Sequence, residues 1–227
     1  MKIKLNANDF IDAHSHQISD SSCFNLDFFS EIPILNRNIP QDISFGFHPW
    51  NKGSFSPELF QSKYFHLKNS KDFNLVAIGE IGIDRLQGKP LEEQTDIFEK
   101  LVIFAQEQKH PIVVHCVKAF EDIYKVLKDR KFSYGVYFHD FNGNEYDLKR
   151  ILENDWYVGL GPHLFRSNSK IIQKISSFPL SNILLESDEG NNSIEMVFSQ
   201  ASKLFCLGIP DLKALMMDNY RKFFELS

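Results

Sequence analysis

Two hydrophobic periods alternate along the chain. Short apolar, β-branched runs recur at 10–13, 43–47, 75–78, 111–114, 134–138, 156–160 and 182–185, each bounded by turn residues. Such runs predict strands. Several are apolar on consecutive positions, which fits strands covered on both faces, as in a parallel sheet. Between them lie stretches with helical spacing. The clearest is 91–108, with Pro90 before it, Glu92 and Glu93 in its first turn, and Ile97, Leu101, Phe104 and Ala105 on one face. Helices are also predicted at 120–127, 146–153, 169–176, 194–207 and 210–226. Strand followed by helix, repeated, predicts a βα architecture.

No internal repeat interrupts this pattern, and the segment 51–57 is only long enough for a loop. One domain over 1–227 is expected. Apolar residues make up 43% of the 227 and charged residues 24%, a balance that predicts a folded core. The 22 phenylalanines are expected to fill it. The three cysteines are odd in number and far apart, which argues against a disulfide framework and for a reducing, cytoplasmic setting. No run of 18 uncharged apolar residues exists, so no membrane span is expected. Residues 1–9 lack the apolar stretch of a signal peptide. A net charge of −5 disfavours a nucleic-acid coat protein, which is usually basic. It leaves room for an enzyme with a local phosphate site. No obligate protein partner is evident.

Chemistry enters at the strand ends. The first run closes in Asp12-Ala13-His14-Ser15-His16. In extended backbone, side chains at i and i+2 point to one side, so His14 and His16 can share a metal ion. Later runs are followed by His48, Glu80, His115, His139 and Asp188. In a βα barrel the C-terminal strand ends converge on one face, which would gather these residues from distant parts of the chain. A single histidine is more often an ordinary polar residue; a set placed this regularly is not. His66 and His110 lie outside the pattern and are expected to be structural or solvent-facing.

The segments Asp12-Ala13-His14-Ser15-His16, Gly46-Phe47-His48-Pro49, Ala77-Ile78-Gly79-Glu80-Ile81-Gly82-Ile83-Asp84, Pro111-Ile112-Val113-Val114-His115, His139-Asp140-Phe141-Asn142-Gly143 and Leu184-Leu185-Glu186-Ser187-Asp188 resemble the successive motifs of the TatD family. A weaker match continues at Asn219 and Phe223. That family comprises metal-dependent hydrolases of the amidohydrolase superfamily with a TIM-barrel-type (β/α) fold. The resemblance implies two divalent metal ions. His14 and His16 would hold one, with Asp188 nearby; Glu80 would bridge to a second held by His115 and His139. Imidazole and carboxylate ligands suit zinc, manganese or nickel, and magnesium is also compatible. A bound ion lowers the pKa of a water to about 7. Asp188 is then the expected general base. His48 is expected to contact a substrate phosphate or to donate a proton. Lys118 and His163 are candidate substrate contacts, and Cys116 is expected to be a buried neighbour, not a ligand.

The likeness has gaps. Only 31 residues (17–47) lie between His16 and His48, whereas two βα crossovers need about 20 or more each. A distorted or seven-stranded barrel is therefore expected, with any remaining strand vestigial around 32–35. Trp50 stands where the family often has a second histidine, Asp140 stands where a cysteine is usual, and Gly190-Asn191-Asn192 replaces a proline-containing loop. The expected activity is hydrolysis of DNA or a smaller phosphoester. The alternatives are an amidohydrolase cleaving an amide or lactone bond, and a metal-binding scaffold without turnover.

Overall fold

The structure, a computed structural model, describes residues 9–33, 35, 40–166, 169, 172 and 178–224. It contains eight strands: β1 (Asp12–Ser15), β2 (Ser22–Asp27), β3 (Gln41–Gly46), β4 (Phe73–Asp84), β5 (Ile112–Val117), β6 (Val136–Phe138), β7 (Tyr157–Leu160) and β8 (Ile183–Leu185). Six α-helices appear among the described residues: α1 (Pro57–Lys68), α2 (Leu91–Gln108), α3 (Phe120–Asp129), α4 (Glu145–Glu153), α5 (Ile194–Phe205) and α6 (Ile209–Phe224). The strands follow one another in sequence order, and the fold is of the TIM-barrel type. The helix expected at 169–176 lies outside the described residues except at 169 and 172.

The expectation of seven strands is corrected to eight. The strand not read from the sequence is β2, not a vestige at 32–35, where the described residues form no strand. No helix occupies 16–21 between β1 and β2, and none appears among the described residues between β2 and β3. Dropping those helices is how two strands fit where two full crossovers do not.

The chain divides into two compact units. Among the described residues, the first covers 24–136 and the second covers 9–23 with 137–224. In the first, β3 pairs in parallel with β2 and β4, and β4 with β5. All but one residue of β4 are buried, as its unbroken apolar run predicts. Helix α1 was not foreseen. Ser56 caps it by accepting from the Leu59 N–H at 3.2 Å, and Pro57 and Glu58 open it. It buries Phe60, Tyr64 and Leu67 while leaving Leu59 and Phe65 exposed, which blurs its periodicity. The phenylalanines fill the core as expected: Phe60 stacks on Phe45 with ring centroids 4.7 Å apart and meets Phe104 edge-on at 5.5 Å.

In the second unit, β7 pairs in parallel with β6 and β8. A bridge between Ser15 and Asp188, and the Asp188 N–H donating to the His14 carbonyl at 3.0 Å, tie the end of β1 to the segment after β8. Helix α6 anchors β8 through Asn219. This fully buried side chain donates to the Leu180 and Ile183 carbonyls at 2.7 and 2.8 Å. Phe223 packs against Tyr137 and Tyr157. No described helix is long and apolar enough to cross a membrane.

Candidate metal centre

Among the described residues, one cluster of ligand-type side chains lies wholly within each unit. In the second unit, His14 comes from β1, His16 from the turn after it, and Asp188 from the segment after β8. One donor atom of each lies within 4.8 Å of the others. Asp188 Oδ1 is 3.7 Å from His14 Nε2 and 3.5 Å from His16 Nε2, and Glu189 approaches His16 Nδ1 at 3.4 Å. Asp188 takes a left-handed φ of 51°, a cost of order 1 kcal/mol in a non-glycine residue. His139 lies in the same unit, buried, with its ring centroid 4.5 Å from that of His14.

Supporting groups hold this cluster. Asp12, two residues before His14, accepts the Ser187 N–H at 3.0 Å and the Ser187 hydroxyl at 2.6 Å. Burial pushes its carboxyl up to about 6, against those two bonds. Glu186, two residues before Asp188, is fully buried and accepts from the Tyr137 phenol and the Asp140 N–H. Burial pushes both Glu186 and Tyr137 well above their usual ranges, so the phenol stays neutral and donates. Asp140 turns its carboxylate to His163, whose Nδ1 lies 2.6 Å away. Arg166 reaches the other ring nitrogen at 3.2 Å. Arginine only donates, so His163 Nε2 accepts from it and the ring proton sits on Nδ1, facing the carboxylate.

In the first unit, His48, Glu80 and His115 form the other cluster, again within 4.8 Å. Glu80 Oε1 is 2.6 Å from His115 Nδ1 and 3.0 Å from His48 Nε2, and the two nitrogens are 3.3 Å apart. The Trp50 backbone N–H donates to His48 Nδ1 at 3.1 Å, which leaves the His48 proton on Nε2, facing Glu80. Three polar atoms this close need a proton or a cation between them. Asn25 of β2 fixes the acid: its Oδ1 accepts the Glu80 N–H at 2.9 Å and its Nδ2 approaches Oε2 at 3.4 Å. Asp84 lies 3.4 Å from His115 Nε2 and accepts the Trp50 indole N–H at 2.7 Å. Gln94 holds the backbone around Asp84, accepting its N–H at 2.8 Å and donating to its carbonyl at 3.0 Å.

The sequence-predicted residues therefore fall into two sets. His14, His16, His139, His163 and Asp188 lie in the second unit; His48, Glu80 and His115 lie in the first. Lys118 is exposed at the end of β5 with a φ of 51°. Cys116 is half-buried, where a buried residue was expected. His110 meets the Tyr64 hydroxyl at 3.1 Å, a structural role as expected. Asp12, Asp84 and Glu186 went unassigned in the sequence; for Asp12 and Asp84 the even spacing from His14 and Glu80 carries the signal, since i, i+2 and i+4 share a strand face, whereas Glu186 lies just past β8.

Fold and donor sets define a metal-dependent hydrolase of the TIM-barrel type. The fold matches the crystal structure of the TatD homologue YJJV from Escherichia coli K12, with a TM-score of 0.71 and 21% identity over 82% of this chain and 77% of that one. The chain belongs to the family described as TatD related DNase, which it matches over residues 22–224. That stretch begins after His14 and His16, so those two rest on their own geometry. An uncharacterized metal-dependent hydrolase of Methanocaldococcus jannaschii is 24% identical over 81% of this chain and 75% of its own length. The human 3'-5' RNA nuclease TATDN2 is 29% identical over 64% of this chain and 19% of its own length.

Proposed function

We propose that the protein hydrolyses phosphodiester bonds in nucleic acid or in a smaller nucleotide-like ester, with two divalent ions. His14, His16 and Asp188, with His139 beside His14, would hold one ion; Glu80 and His115 would hold the other. The observation that carries this reading is the pair of clusters, each bringing three imidazole or carboxylate donors within 4.8 Å. The mixed nitrogen and oxygen donors fit zinc, manganese or nickel better than calcium. Bound in such a site, a divalent ion acidifies a water and polarises a phosphoryl oxygen.

The protein's own groups do the rest. Asp188 takes the proton from the attacking water as its oxygen bonds to phosphorus. His48 carries its proton on Nε2 and supplies it to the leaving oxygen as the P–O ester bond breaks. Arg166, set in place by the His163 ring that Asp140 holds, donates to a phosphate oxygen, and Lys118 adds a point charge. The three free cysteines support a reducing, cytoplasmic setting.

The test is an assay panel with protein reconstituted in zinc, manganese, nickel or magnesium. Turnover of bis-p-nitrophenyl phosphate or a single-stranded oligonucleotide is expected, and a chelator should abolish it. Turnover of a lactone or amide with none of a phosphodiester would assign the chain to the amidohydrolases instead.

A further inference from the structure

The chemistry above uses the Trp50 backbone N–H but not its side chain, whose setting is unlike that of a core tryptophan. It is 42% exposed, yet the loop that carries it is fixed at several points. The indole N–H donates at 2.7 Å to Asp84, a carboxylate only 2% exposed. The Trp50 backbone N–H donates to His48 Nδ1. Asn51 closes the turn by donating its backbone N–H to the His48 carbonyl at 3.0 Å, and its side chain reaches Asp27 at 2.7 Å. On the other side, Gly88 at φ +89° lets the β4–α2 loop lie against Pro49. A Cβ at Gly88 would sit 2.2 Å from the Pro49 carbonyl oxygen.

The indole stands near-perpendicular to the rings of His48 and His115, with centroids 4.9 and 5.5 Å away. A large apolar ring is thus held rigid and partly open to water beside two members of a metal cluster. Leaving that surface wet costs hydrophobic free energy, and holding it rigid removes the entropy cost of ordering it on binding. Every nucleobase offers a π-face to such a ring without regard to sequence.

We propose that Trp50 is a specificity-determining residue: a stacking platform for a nucleobase of the substrate, next to the His48–Glu80–His115 cluster. This rests on the phosphodiesterase reading above and names its substrate class as a nucleotide or single-stranded nucleic acid. The platform tolerates any base and selects against phosphoesters that lack one.

The chain has two tryptophans, and Trp156 is 5% exposed, so quenching of the intrinsic fluorescence by a bound base reports Trp50. Zinc-loaded protein is titrated with thymidine 5'-phosphate and, separately, with deoxyribose 5-phosphate. Quenching by the first and not by the second is expected; equal responses, or none, overturn the platform. In kinetics, Trp50→Ala should raise KM for a thymidine dinucleotide about ten-fold more than KM for an abasic phosphodiester, since losing the Asp84 bond touches both substrates alike. Trp50→Phe keeps a ring and loses the indole N–H, and should stay within about three-fold of the parent. If both variants instead lose kcat equally on both substrates, Trp50 acts only by positioning Asp84 and the platform is wrong. Quenching by thymidine 5'-phosphate in protein that cleaves no phosphodiester would sustain the platform and overturn the hydrolytic reading.

Discussion

Gly159 shows how tightly single atoms are placed around the second cluster. A Cβ there would lie 2.6 Å from the Tyr137 hydroxyl and 2.7 Å from both Glu186 oxygens. Gly159→Ala must therefore displace a buried, hydrogen-bonded pair, and should cost about 1–3 kcal/mol, read as a lowered urea midpoint at unchanged m-value. A shift below about 0.5 kcal/mol would show that the pair yields freely. Asp188 makes a different demand. Asp188→Asn preserves shape but cannot accept a proton from water. It should lower kcat by about 10²–10⁴-fold with the circular dichroism spectrum unchanged; an active variant would remove Asp188 from the role of base. At this scale the sequence was informative about candidate ligands and silent about their supports. His14, His16 and Asp188 stand out because imidazole and carboxylate follow apolar runs. Asp12 and Glu186 do not, because a carboxylate inside a strand (Asp12) or just past its end (Glu186) reads as a break in the apolar pattern until the structure supplies Ser187 and Tyr137 as partners.

Among the elements, β2 and α1 escaped the hydrophobic pattern for opposite reasons. In β2 the buried face includes Asn25, a polar residue 5% exposed that serves Glu80, so a functional requirement displaced an apolar one. In α1 the exposed face includes Leu59 and Phe65, so apolar residues spill beyond the stripe that packs. Helix α2 has neither conflict, and its limits, Leu91–Gln108, agree with the sequence throughout. Helix α1 also sets a pH dependence. Its Tyr64 hydroxyl lies 3.1 Å from His110 Nε2. Burial pushes the His110 imidazole below its ordinary value, Lys68 adds to this, and a backbone bond at Val76 opposes it. Below the ordinary histidine range the unfolded chain therefore binds a proton that the folded chain refuses. Its stability contribution must fall as pH drops through about 6.5, by at most ~1.4 kcal/mol per pH unit. His110→Asn should lose less stability than the parent between pH 7.5 and 5.5 in urea unfolding; parallel losses would show that His110 titrates as an ordinary exposed histidine.

For the whole molecule, the proposed two-ion centre predicts a stability that depends on metal. Both clusters bring acids and imidazoles together in sites that water reaches poorly: Glu80 is 3% exposed, His115 8% and His14 fully buried. Without a cation, protons must hold these groups together, at a desolvation cost. An ion that binds the folded chain and not the unfolded one adds RT ln(1 + [M]/Kd), about 2.7 kcal/mol at a hundred-fold excess over Kd. For a chain of this length that raises Tm by about 5–10 °C. Chelation should lower Tm by this amount, and zinc or manganese should restore it while calcium, which prefers all-oxygen cages, should not. The two clusters can be counted separately because each lies within one unit. His16 is a suitable probe of the second unit, since its side chain is 31% exposed and its loss leaves the core intact. His115→Ala probes the first. Elemental analysis should find two ions per chain in the parent and about one in each variant, with roughly half the zinc-dependent rise in Tm retained by each. A parent that binds no more than one ion, or a Tm indifferent to chelator, would mean that at least one cluster is held by its own hydrogen bonds and was never a metal site.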